Sequence, residues 1–148
     1  MTKHKTCKDK VHAHMQGRMY DLKGMYRPYE LDHNEIKTFL IDQGYDPKIF
    51  GHDENLDMVY ELRSNYGLSF TYDEDLDCFT YLLSWGGPSD EVRFFVTLGG
   101  KLQKAEYWFK DWFDGACIEL TGDEFETAQA IIADLNESET LKYLMEQE

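Results

Sequence analysis

Carboxylates are the commonest chemistry-bearing groups in this chain: 29 Asp and Glu stand against 15 Lys and Arg, with five His and three Cys. Such abundance removes the specificity of any one carboxylate pair as an acid/base signal. Cys7, His12 and His14 are metal-ligand types, but their spacing matches no common zinc pattern, and no fourth ligand lies nearby in sequence. Asp73, Asp75 and Asp77 alternate like the opening of a calcium loop. That loop needs Gly at its sixth position and Glu at its twelfth, where this chain has Cys78 and Ser84. His33 and His52 flank the first strong helix signal without a partner pattern. No G-x-S-x-G, P-loop or G-x-G-x-x-G occurs. If the GGPSD and DWFDGA turns converge, Asp90, Asp111 and Asp114 could meet, which is the arrangement a metal-dependent enzyme would need. The expectation is nevertheless a protein without catalytic residues, metal or cofactor.

What remains is charge and aromatic surface. The chain has 148 residues and a formal net charge of −14, with 3 Trp, 10 Tyr and 9 Phe, ample apolar material for one core. No run of 18 apolar residues predicts a membrane span, and no apolar block follows the basic N-terminus as a secretory signal requires. The odd, widely separated cysteines suit a reducing cytoplasm. So acidic a chain repels phosphate backbones and anionic lipid, and a basic protein surface is the expected partner. The charge is uneven: residues 1–28 hold seven Lys/Arg and two Asp/Glu, whereas residues 29–148 hold eight against 27. Residues 1–28 therefore read as a flexible basic leader and 29–148 as a single domain.

The elements that must position these groups follow from pattern. Asp32 and Glu35 have capping-box spacing, Ile36, Phe39 and Leu40 share one side, and Gly44 suits a helix end, which predicts a helix over 34–43. A short helical piece at 48–50 is expected after Asp46-Pro47. From Met58 onward MVYELRS, YGLSFTY, CFTYLLSW, EVRFFVTL, KLQKAEYWFKDWF and ACIEL read as strands. Gly99-Gly100 and Asp114-Gly115 suit two-residue turns. These turns set Leu98 opposite Lys101, Arg93 opposite Glu106, Phe113 opposite Ala116 and Lys110 opposite Glu119. One face then carries Val92, Phe94, Val96, Ala105, Tyr107, Phe109, Phe113, Ile118 and Leu120, with Asp111 as a misfit. The other carries Phe95, Trp108 and Trp112 among charges. Residues 123–137 form an amphipathic helix with Phe125, Ala128, Ile131, Ile132 and Leu135 inward and Asp123, Glu126, Asp134 and Glu137 outward; a terminal helix at 139–145 follows. The expected fold is α+β: a mainly antiparallel meander of four to six strands, with an N-terminal helix and a C-terminal amphipathic helix on one face.

The runs YELRSNYGLSF (60–70), SWGGPSDEVRFF (84–95) and EYWFKDWFDGACIEL (106–120) resemble a group of small acidic proteins carried by phages, plasmids and other mobile elements. The resemblance spans roughly residues 58–136. It implies an anti-CRISPR or antirestriction-like role, in which the acidic protein occupies a nuclease or CRISPR effector complex in the host cytoplasm, as a nucleic-acid mimic does. The basic beginning departs from a pure mimic. On this reading Asp73, Glu74, Asp75, Asp77, Asp90, Glu91, Asp114, Asp123, Glu126, Asp134 and Glu137 steer the encounter, while Phe95, Trp108 and Trp112 hold the complex. An immunity-type protein neutralising a basic toxin would use the same residues.

Overall fold

The computed structural model describes residues 5–47 and 51–146. The helical piece expected at 48–50 lies outside them. Five helices pack with one five-stranded sheet, so the class is α+β as expected.

The largest departure is at the N-terminus. Residues Cys7–Tyr26 form α1, a 20-residue helix, and not a flexible leader. A capping box starts it: Thr6 Oγ1 accepts from Asp9 N (3.3 Å), and Asp9 Oδ2 accepts from Thr6 N (3.0 Å). Cys7, Val11, Met15, Met19, Leu22 and Tyr26 recur at three- and four-residue spacing, and all are buried in the main core. The chain boundary expected at residue 28 therefore falls inside the packed body. There Arg27, 4% exposed, donates to Glu30, to Asp123 Oδ1 (2.9 Å) and to Glu126 Oε2 (3.1 Å).

A 3₁₀ turn at Pro28–Glu30 leads to α2, His33–Asp42, which carries the expected Asp32–Glu35 capping box; Gly44 takes φ +84° beyond its end. The stretch MVYELRS is a correction. It forms the second half of α3, His52–Tyr66, and not a strand. Read with the polar residues before it, the segment places Asn55, Val59 and Leu62 inward and Asp53, Asp57 and Glu61 outward.

Strands β1 (Ser69–Asp73), β2 (Cys78–Ser84), β3 (Pro88–Val96), β4 (Leu102–Asp111) and β5 (Asp114–Glu119) make an antiparallel meander in chain order. Arg93 lies opposite Glu106 as expected, and a bulge between Phe95 and Val96 adjusts the turn, so Leu102 and not Lys101 begins β4. The last hairpin turns two residues early. Asp111 faces Asp114 and Lys110 faces Gly115, so the expected pairs Phe113–Ala116 and Lys110–Glu119 do not form. The slip is even and strand side chains alternate with period two, so each strand keeps the predicted face. Phe113 alone leaves the core face, because it sits in the turn and is fully exposed.

The face bearing Phe79, Tyr81, Val92, Phe94, Ala105, Tyr107 and Phe109 joins the core with α1 and the last helices, α4 (Gly122–Glu137) and α5 (Thr140–Glu146). Along α4, Ala128, Ile131, Ile132 and Leu135 are buried, as the stripe requires. The opposite sheet face contributes no side chain to that core.

Candidate interaction surfaces

The open sheet face is a ladder of charge and aromatic groups set by register. Arg93 lies over Trp108 (4.1 Å from guanidinium carbon to ring centroid) and donates to Glu91 Oε2 at 2.7 Å. Lys110 Nζ donates to Glu91 Oε1 at 3.0 Å, and Trp108 Nε1 donates to Glu106 Oε1 at 3.1 Å. Lys104 Nζ stands 4.6 Å from the Phe95 ring. Phe95 and Trp108 therefore share this face as expected, each lying under a cation. Trp112 does not join them. It occupies the β4–β5 turn at φ +57° and is exposed, beside Phe113. Pairing of Pro88 with Asp111 brings the β2–β3 turn, with exposed Trp85, to the same end of the sheet. A left-handed conformation strains any residue with a Cβ. Trp112→Gly is therefore expected to stabilise the fold by about 1 kcal/mol, read as a raised urea midpoint.

The acids divide into three populations. Asp90, 4% exposed, points to the core side of the sheet, and Glu91, 8% exposed on the open face, is covered by Arg93 and Lys110, so neither presents itself to a partner. Asp123, Glu126 and Asp134 on α4 face outward but are tied to Lys23, Arg27 and Arg63. Bonding to Lys23, and then to Arg27, holds the Asp123 carboxyl below the usual range despite some burial. Asp114 accepts from Cys7 N at 2.7 Å, which caps α1 and lowers its carboxyl. Asp73 accepts from Leu76 N, and Asp77 accepts from Tyr72 Oη (2.5 Å), a bond that pushes the phenol up to about 12. Glu74, Asp75 and Glu137 are exposed. The third population spans the boundary at Met58, where the strand expectation begins and before which residues 52–57 carry none: Asp53, Asp57 and Glu61, at i, i+4, i+8, are exposed on one helix face. No ion pair engages them among the described residues. Their four-residue spacing was the available signal.

The densest polar cluster lies where α1 crosses the sheet. Arg18 Nε and Nη2 donate to Asp90 (2.7 and 3.1 Å), and Arg18 Nη1 donates to Tyr66 Oη (2.9 Å). Tyr66 Oη donates to Asp21 (2.5 Å), while Ser84 Oγ (2.5 Å) and Tyr107 Oη (2.6 Å) donate to Asp90. Burial alone would raise the Asp90 carboxyl. The bonds from Arg18, Ser84 and Tyr107 outweigh it and hold the group below its ordinary value. Burial and Asp90 together raise the Tyr107 phenol. Every buried side-chain nitrogen and oxygen among the described residues has a partner, so this cluster serves as a clamp between helix and sheet.

The remaining candidates do not converge. Cys7 is buried, and His14 stacks on Phe109 with ring centroids 4.3 Å apart. Asp111 and Asp114 do face each other across the last hairpin, but Asp90 is committed to Arg18 and Asp114 caps α1, so the three form no common site. Among the described residues no group of three or more His, Cys, Asp or Glu is placed to hold a metal ion. His33 and His52, in contrast, meet Nδ1 to Nδ1 at 3.0 Å and link the starts of α2 and α3. No helix of the described residues is long and apolar enough to cross a membrane. Comparison with protein-family models, curated proteins and solved structures finds no match to this chain.

Proposed function

We propose that this protein is a non-catalytic acidic inhibitor that binds a basic surface of a nucleic-acid-handling host defence complex, a nuclease or CRISPR effector. The observation that carries the reading is the row Asp53, Asp57 and Glu61. Three solvent-facing carboxylates recur about every 6 Å along one helix, and Glu74 and Asp75 are exposed in the β1–β2 turn. Such a row offers a groove built for phosphates the repeating negative charge it already attracts. The α4 acids contribute less, because their own chain pairs them with cations. Charge of this kind acts mainly on the rate of encounter, while Trp108 and Phe95 on the open sheet face supply the slower-leaving contact.

The test is phage plating on bacteria proficient in restriction or CRISPR immunity. Expression of the protein should raise plating efficiency against at least one such system. Unchanged plating across all of them would overturn the reading. Against the nuclease so identified, the triple variant Asp53→Asn, Asp57→Asn, Glu61→Gln should associate at least about tenfold more slowly at low salt, with a flatter salt dependence.

A further inference from the structure

We infer that copies of this chain associate head to tail, the aromatic end of one molecule seating in an apolar groove at the opposite end of the next. The first end is built by two turns. Trp85, Trp112 and Phe113 are 81%, 82% and 106% exposed and share one end of the sheet. The start of α1 is fastened beside them through Cys7 N and Asp114, which brings Lys5, Lys8 and Lys10 to this end, with Lys110 close by. Against these cations stand Asp9, Asp111, Asp114 and Glu91, the last bonded to Lys110, so in a chain of net charge −14 this end is locally close to neutral and leaves the lysines of α1 to meet a partner.

The other end lies a strand's length away, roughly 30 Å along β4. There a groove of about 460 Å³ opens between the β3–β4 turn and α5, walled by Phe79, Val96, Leu98, Leu141 and Met145. Leu98 is 99% exposed on its rim. Asp73, Glu74, Asp75 and Asp77 of the β1–β2 turn belong to the same end, as does Glu146, against Lys101 and Lys142.

Each end holds what the other lacks. An apolar cavity of about 150 Å³ takes a benzene ring, so a groove roughly three times larger has room for an indole and a neighbouring phenyl ring. The lysines beside the rings would meet the acids beside the groove. The carboxylates bracketing Trp112-Phe113 disfavour a phosphate or anionic lipid surface as the occupant. Cap and groove are different surfaces, so a pair leaves one of each unused and the contact propagates. Net repulsion between copies is screened within about 8 Å at physiological salt.

Sedimentation equilibrium of the full chain at physiological salt tests this without any host factor, so its outcome is independent of the inhibitor reading. The weight-average mass should climb above 17.4 kDa with concentration and pass the dimer without a plateau. The cap variant Trp112→Gly/Phe113→Ser and the groove variant Leu98→Lys/Met145→Lys should each weaken association at least about tenfold. Mixed together, they should form a one-to-one dimer that grows no further. Leu98→Lys alone, at an exposed turn, covers the case in which the double groove variant does not fold. A wild-type mass fixed at the monomer, a groove variant that associates like wild type, or a mixture that stays monomeric would each overturn the inference.

Discussion

Replacing Asp90 with Ala is expected to destabilise the protein by about 3 kcal/mol. The carboxylate binds a guanidinium, a serine hydroxyl and a tyrosine hydroxyl, and all three lose their acceptor at once. The figure sits at the low end of the range for a broken buried pair, because Arg18 keeps 27% side-chain exposure and can recruit water. The melting temperature should drop by roughly 10 °C for a domain of this size. The clamp also has a pH signature. The folded carboxyl is held below its unfolded value, so its stabilisation is complete above the unfolded range and is lost as pH falls through the folded value. Asp90→Asn cannot titrate, so the gap in urea midpoint between it and wild type should be widest near neutrality and narrow as pH falls below the ordinary aspartate value of about 3.9. A gap that stays constant with pH would assign the cost to packing instead.

The same substitution at two points on α1 should act in opposite directions. A Cβ at Gly17 meets nothing within 4 Å, so Gly17→Ala should gain about 1 kcal/mol from helix propensity. A Cβ at Gly24 would lie 2.3 Å from the Phe39 ring, which is buried on α2 and would have to shift to admit it. Overpacking of that kind costs roughly 1–3 kcal/mol, so Gly24→Ala should be a net loss despite the better helix former. Urea denaturation of both variants reads the difference. A helix that did not dock would show no loss at Gly24.

Those two glycines also mark where sequence reading stopped. The capping box at Asp32–Glu35, the Arg93–Glu106 pairing and the α4 stripe were legible because each rests on contacts a few residues apart or on one hairpin. Helix α1 was not. Its inward positions are filled by Cys7, Met15, Met19 and Met25, which signal apolarity less sharply than Leu or Ile, and lysines and histidines fill the turns between. Helix α3 was misread because Met58-Val-Tyr-Glu-Leu in isolation fits an alternating strand as well as a helix. The charged residues before it, Asp53 and Glu54 in the first turn, are what favour a helix start. Without that turn Asp53, Asp57 and Glu61 do not read as one helix face, and the weight falls on α4 acids that pair internally. The clamp was illegible for a different reason: Arg18 and Asp90 are 72 residues apart, and no local rule joins them.

The tie between Cys7 and Asp114 spans 107 residues, and that between Arg27 and Asp123 spans 96. During translation the first helix therefore leaves the ribosome well before the surfaces that shelter it exist. At ordinary elongation rates the wait is on the order of 5–20 seconds, and a lone segment of this length is only marginally helical in water. A nascent chain halted before β4 and β5 emerge carries an unsheltered methionine-rich stripe, a natural target for chaperones and proteases, so this body completes its packing only once α4 has been made.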